Sequence, residues 1–164
     1  MRLFLGSFAT INHYDAIQKD FSMLQARWTP EQNIHLTYLF LGDNYKPENI
    51  IDKLQKIKYT KAAIPIIGLG TFGKPSRILY ANAEDEALFR LHNEIVHKLN
   101  IKPDKPFIPH ITLARIKKVE NVSALREMIE SYHAKALGSM QIELKLVASK
   151  LTPQGALYKK IYDF

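Results

Sequence analysis

Two short stretches of the 164-residue chain pair an imidazole with a hydroxyl: His35-Leu36-Thr37 and, 75 residues later, His110-Ile111-Thr112. Each opens an apolar run, His35-Leu-Thr-Tyr-Leu-Phe-Leu41 and His110-Ile-Thr-Leu-Ala-Arg-Ile116, that reads as a β-strand. Residues i and i+2 of a strand share a face, so each histidine emerges beside its threonine. Two imidazoles can divide proton work, one neutral as general base and one protonated as general acid, because histidine titrates near operating pH. Two hydroxyls can donate hydrogen bonds to the non-bridging oxygens of a bound anion. This set suits in-line displacement at phosphorus without a metal. One copy carries little weight, since a strand histidine is commonly a satisfied core residue. Two copies act together only if the halves of the chain face each other across a pseudo-two-fold axis.

The elements around the motifs fit such a duplication. Leu3–Phe8 reads as a strand, and Ile17, Phe21 and Leu24 fall on one face of a helix. Ile34–Phe40 is the first motif strand. Pro47 opens a helix with Ile50, Ile51, Leu54 and Ile57 on one side. Its acids come early and its lysines late, as the helix dipole favours, so the lysine run is no sign of an RNA patch. Ile64–Leu69 and Arg77–Ala83 read as a strand pair around Gly70-Thr-Phe-Gly-Lys-Pro-Ser76. A helix with Leu88, Leu91, Ile95 and Leu99 precedes the second motif strand, Ile108–Ala114. Another helix with Val122, Leu125, Ile129 and Tyr132 comes after it. Gln141–Ser149 alternates as a half-buried strand, and a turn at Thr152–Gly155 leads into a closing strand, Ala156–Phe164. Each half gives a helix, a loop, a His-x-Thr strand and another helix. The expected architecture is α+β: one bilobed domain over residues 1–164, with two mostly antiparallel sheets flanking a central cleft and helices outside.

Composition narrows the classes further. The chain has no cysteine, which excludes disulfides, thiolate nucleophiles, Fe–S clusters and cysteine-ligated zinc. The longest apolar stretch, Ala62–Gly70, is about half of a membrane span and contains Pro65. The opening Met-Arg-Leu-Phe-Leu-Gly-Ser-Phe-Ala lacks a leader's full apolar core and reads as the first strand of a cytoplasmic protein. A net charge of +7 fits anionic partners. Gly68-Leu-Gly-Thr-Phe-Gly73 imitates a dinucleotide fingerprint, but the next residues, Arg77-Ile-Leu-Tyr-Ala81, read as a strand where that motif needs a helix. It is a hairpin connection, with Phe72 or Arg77 at the border of the cleft as an additional reading. His92 and His97 stand five apart, about 140° on a helix, so they do not chelate together and read as helix-surface residues.

The chain resembles the 2H phosphoesterase superfamily, which is named for paired His-x-Thr motifs, and within it the bacterial and archaeal RNA 2′,3′-cyclic phosphodiesterases, also called 2′-5′ RNA ligases. The resemblance runs through Arg2-Leu-Phe-Leu5, Asn33-Ile-His-Leu-Thr37, Phe40-Leu-Gly42, Gly70-Thr-Phe-Gly73 and Arg77-Ile-Leu-Tyr80. Its strongest piece is Phe107-Ile-Pro-His-Ile-Thr-Leu-Ala-Arg115, and the tail Ser149–Tyr158 also fits. Tyr38 stands where the family often has leucine and Tyr80 where it often has tryptophan. The resemblance implies a bilobal α+β fold, no metal or other cofactor, and opening of RNA 2′,3′-cyclic phosphate ends to 2′-phosphates, with reversible 2′-5′ joining of RNA ends. The implied partners are RNA ends or nucleotides bearing the cyclic phosphate, met by a monomer without a membrane. By position, His35 and His110 are catalytic, Thr37 and Thr112 hold the phosphate, and Arg115 closes the second motif. Strict alternation puts Arg115 on the face opposite His110, so either the strand ends or bulges there, or the side chain reaches round. Which histidine is the acid stays open, and we carry forward His35 as acid and His110 as base. The rivals are a non-catalytic RNA-end-binding module and a zinc hydrolase, the latter lacking a third strong ligand near either motif.

Overall fold

The computed structural model describes residues 1–164. The elements in order are β1 (Arg2–Ile11), α1 (Tyr14–Asp20), β2 (Leu24–Trp28), β3 (His35–Gly42), α2 (Pro47–Leu54), β4 (Ala63–Ile67) and β5 (Leu69–Phe72). Then come β6 (Ile78–Ala81), α3 (Glu86–Leu99), β7 (Ile111–Val119), α4 (Val122–Ser131), β8 (Ala136–Gln141), β9 (Lys145–Thr152) and β10 (Gly155–Asp163). Every strand pairing is antiparallel, as expected for an α+β chain.

The strands run β10-β9-β1-β3-β7-β6-β5, with β2 along the outer part of β7 and β8 with β4 at the far end of β1. The path is two arms joined at one point, the rung between Leu36 of β3 and Ile111 of β7. These are the middle residues of the two His-x-Thr motifs, so each motif meets its counterpart head to tail. Leu36 and Ile111 are fully buried, and a single core continues beneath both arms through Leu5, Leu79, Leu88, Leu91 and Leu113. Burying each such side chain stabilises the fold by roughly 1.5–3 kcal/mol.

Local signals account for most element ends. Asp85 caps α3 by accepting from the Ala87 amide at 2.8 Å, and Asn100 ends it in the left-handed conformation. Asn121 caps α4 in the same way, accepting from the Ala124 amide at 3.0 Å. Leu88, Leu91, Ile95 and Leu99 all face the core.

Several expected boundaries move. Leu24 begins β2 rather than continuing α1, because the helix stops at Asp20 and the chain turns at Phe21. Ile57 lies past the end of α2. The expected strand Ile64–Leu69 is split at Gly68, whose φ of +81° turns the chain. The part before it pairs with β8, and Leu69–Phe72 pairs with β6. A hairpin turn, not a helix, comes after the Gly68–Gly73 segment, which removes the dinucleotide motif. Strand β8 goes unrecognised in the sequence because Gly138 and Ser139 interrupt its apolar pattern. No helix is long and apolar enough to cross a membrane.

Candidate active site

His35 is the first residue of β3, and His110 immediately precedes β7. The two are held alike. His35 Nδ1–H donates to the carbonyl of Asn33 at 2.6 Å, and His110 Nδ1–H donates to the carbonyl of Ile108 at 2.8 Å. A carbonyl can only accept, so each bond puts the proton on Nδ1 and leaves Nε2 as the nitrogen able to take or give a proton. Thr37 Oγ1 lies 3.0 Å from Nε2 of His35.

Both motif strands then bulge at the same place. On β3, Thr37 pairs with Gly6 and Leu39 with Leu5, leaving Tyr38 as the extra residue. On β7, Thr112 pairs with Tyr80 and Ala114 with Leu79, leaving Leu113 as the extra residue. An added residue shifts the alternation by one. Arg115 thereby joins the face of Thr112, which settles the alternatives left by the sequence in favour of a bulge. Phe40 takes the corresponding place on β3. The carbonyls at both bulges are satisfied from outside the β1–β3 and β6–β7 pairings. His92 Nδ1–H donates to Tyr38 O at 2.9 Å, while Tyr14 O–H and the Thr29 amide donate to Leu113 O at 3.1 and 2.8 Å.

His92 is therefore no surface residue. It is buried and stacks flat on Phe107, with ring centroids 4.3 Å apart, just ahead of His110. Its position beside Leu88, Leu91 and Ile95 on the apolar stripe is the available signal. His97 is exposed, as expected.

Aromatic walls flank each imidazole. Phe4 stacks on His35 at 4.6 Å, and Tyr158 meets it edge-on at 5.3 Å. On the other arm Phe72 meets His110 edge-on at 5.0 Å and Tyr80 at 5.8 Å, while Phe72 and Tyr80 stack at 4.2 Å. Gly70 makes room for this pair, since a Cβ there would lie 2.5 Å from Tyr80 Oη. Phe72 thus borders the site, as the additional reading allows. Nothing in the periodicity singles out Phe4 or Tyr158, because long stretches of chain separate both from the motifs.

Burial pushes the His35 pKa down, and the nearby positive charges of His110 and Arg115 push the same way, against the Asn33 hydrogen bond. Burial raises the Tyr158 pKa, and Arg115 opposes that rise. Both effects bring Arg115 within electrostatic reach of the opposite arm. No group of three or more His, Asp or Glu side chains gathers anywhere in a way that could hold a metal ion. The cleft is chemically suited to moving two protons at opposite ends of one displacement, with a cation and hydroxyls for the anion between them.

A duplicated α+β frame with one His-x-Thr strand in each half defines the class of the two-histidine phosphoesterases. Comparison with known proteins agrees. The sequence profile of the LigT-like phosphoesterases matches the chain twice in succession, over residues 10–80 and 81–158, one motif in each match. The chain is 30% identical over 173 residues to an RNA 2′,3′-cyclic phosphodiesterase of Methanocaldococcus jannaschii, covering all of both proteins. It is 31% identical over 183 residues to one of Aquifex aeolicus, covering 100% of the chain and 96% of the relative. Among solved structures, Escherichia coli LigT complexed with 3′-AMP superposes with a TM-score of 0.76 at 21% identity, over 99% of this chain and 96% of that one. A Thermus thermophilus protein superposes with a TM-score of 0.68 at 25% identity, over 100% and 97%. This chain belongs to the LigT-like phosphoesterase family.

Proposed function

We propose that the chain opens 2′,3′-cyclic phosphates at RNA ends to 2′-phosphates, without a metal, and weakly and reversibly joins RNA ends through a 2′-5′ bond when a 5′-hydroxyl attacks the cyclic phosphate in place of water. In the hydrolysis Nε2 of His110 takes a proton from water, whose oxygen bonds to phosphorus. The P–O3′ bond breaks, and Nε2 of His35 gives its proton to the departing O3′. The product carries a 2′-phosphate and a free 3′-hydroxyl. Thr37, Thr112 and Arg115 hold the non-bridging oxygens. The supporting observation is that both histidines commit Nδ1 to a backbone carbonyl and adjoin the rung that joins the two arms, leaving Nε2 of each to exchange protons, that of His35 beside the Thr37 hydroxyl. The lowered pKa of His35 favours its neutral form before phosphate binds; for the acid role the negative charge of a bound phosphate draws a proton onto that imidazole. The relatives named for this activity support the same substrate class. We place the enzyme in the cytoplasm as a monomer, with residues 1–164 as one working domain.

The test is incubation of purified protein, in excess chelator, with an oligoribonucleotide ending in a 2′,3′-cyclic phosphate. The expected product is the 2′-phosphate. A 3′-phosphate would mean that the substrate lies reversed between the two histidines. Binding without turnover would make the chain an RNA-end-binding module, and loss of turnover only with chelator would make it a metal hydrolase.

A further inference from the structure

We infer that a basic cavity at the outer end of β7 holds the RNA backbone upstream of the reacting end. This second site rests on the RNA reading of the catalytic cleft and extends it. The cavity, about 480 Å³, lies between the β5–β6 turn, the end of β7 and the start of α4. Lys74 and Arg77 line it from the turn, Lys117 and Lys118 from the strand, and Val122 and Leu125 form an apolar patch.

The charge there is uncompensated. No carboxylate lines the cavity, and none of the four cations takes part in a salt bridge. All four are exposed. Like charges gathered in one place repel, and a bound anion relieves that repulsion. Four cations exceed what one phosphate ester neutralises, whereas a nucleic acid strand presents a negative charge at every nucleotide.

The strand that carries Thr112 also supplies Lys117 and Lys118 to the cavity. Arg115 pairs directly with Arg27 of β2, so both residues share the face of Thr112 and stand between it and Lys118 along the strand. From Thr112 to Lys118 the partner strands advance four ladder steps, roughly 13 Å at about 3.3 Å per residue. An oligonucleotide of several nucleotides spans that distance, and a mononucleotide does not. The site therefore discriminates polymer from monomer, and leaves the chemistry at His35 and His110 untouched.

The experiment compares the native protein with Lys74→Gln/Lys117→Gln/Lys118→Gln on two substrates, uridine 2′,3′-cyclic phosphate and a uridine decamer with the same end. The variant is expected to raise KM for the decamer on the order of 10-fold, and to flatten its dependence on log salt by about 2, at about 0.7 per lost phosphate contact on a single strand. Turnover of the mononucleotide should stay the same, and Lys117→Arg/Lys118→Arg should keep decamer binding. Equal losses on both substrates, or none on the decamer, would overturn the inference. Binding of a fluorescent decamer with a plain 3′-hydroxyl, read by anisotropy, separates the two proposals. If neither substrate turns over yet the triple variant loses salt-sensitive decamer binding, the backbone site stands and the phosphodiesterase reading falls. If the decamer turns over and the variant binds it as well as the native protein does, the reverse holds.

Discussion

At the scale of single residues, the site is set by where each imidazole spends its Nδ1 proton. Two carbonyls, those of Asn33 and Ile108, fix two tautomers and thereby leave the two Nε2 atoms able to exchange protons. Arg115 tunes one of them. Burial is the main cause that lowers the His35 pKa, and the positive charge of Arg115 adds to it. The value of kcat/KM reports the free enzyme, so an acidic group with a lowered pKa brings the alkaline limb of the pH profile to lower pH. Arg115→Gln removes the positive charge, lets the His35 pKa rise and should move that limb upward while weakening phosphate binding. The measurement is kcat/KM against pH on a mononucleoside 2′,3′-cyclic phosphate, which does not reach the outer cavity. Movement of the acid limb instead would make His35 the base and His110 the acid.

At the scale of elements, the paired bulges do what alternation alone cannot. Each adds one residue after the threonine, aims the next exposed side chain back at the site, and hands its carbonyl to a donor outside the bulged strand pair. The close fit of β1 against β3 serves the same end. A Cβ on Gly6 would lie 2.6 Å from the Leu36 carbonyl oxygen, so only glycine lets the two backbones approach beside the first motif. Gly6→Ala should therefore cost about 1–3 kcal/mol of stability, as overpacking does. Urea unfolding measures this, and an unchanged midpoint would show that the strands separate freely. This is also where the sequence stops being readable. The helix α3 and strands β1, β3 and β10 are legible in the spacing of apolar residues, and the two motifs in residue type alone. The bulges are invisible there because a single extra residue looks like ordinary alternation until the partner strand is known. His92 is misplaced for a related reason: a polar residue at the edge of an apolar stripe reads as surface unless its acceptor, a carbonyl released by a bulge 54 residues away, is in view. The split at Gly68 is hidden because the apolar run continues through it, and only the left-handed turn separates the partners of β4 and β5.

At the scale of the whole molecule, duplication explains why one site needs all of the chain. Residues 10–80 and 81–158 each match the family profile, each supplies one His-x-Thr strand, and they meet at the Leu36–Ile111 rung. On the proposed mechanism neither half holds both the acid and the base. The central claim, that the two halves form one proton-transfer unit, is tested most directly by kcat/KM for His35→Ala, His110→Ala and the double variant, each checked for folding by circular dichroism. Each single change should cost on the order of 10²–10⁴-fold, the contribution of a positioned acid or base. The double variant should lose far less than the product of the single losses, because groups acting as a unit are not additive. A folded His110→Ala variant with near-native turnover, or a double variant whose loss equals the product of the two, would contradict the account.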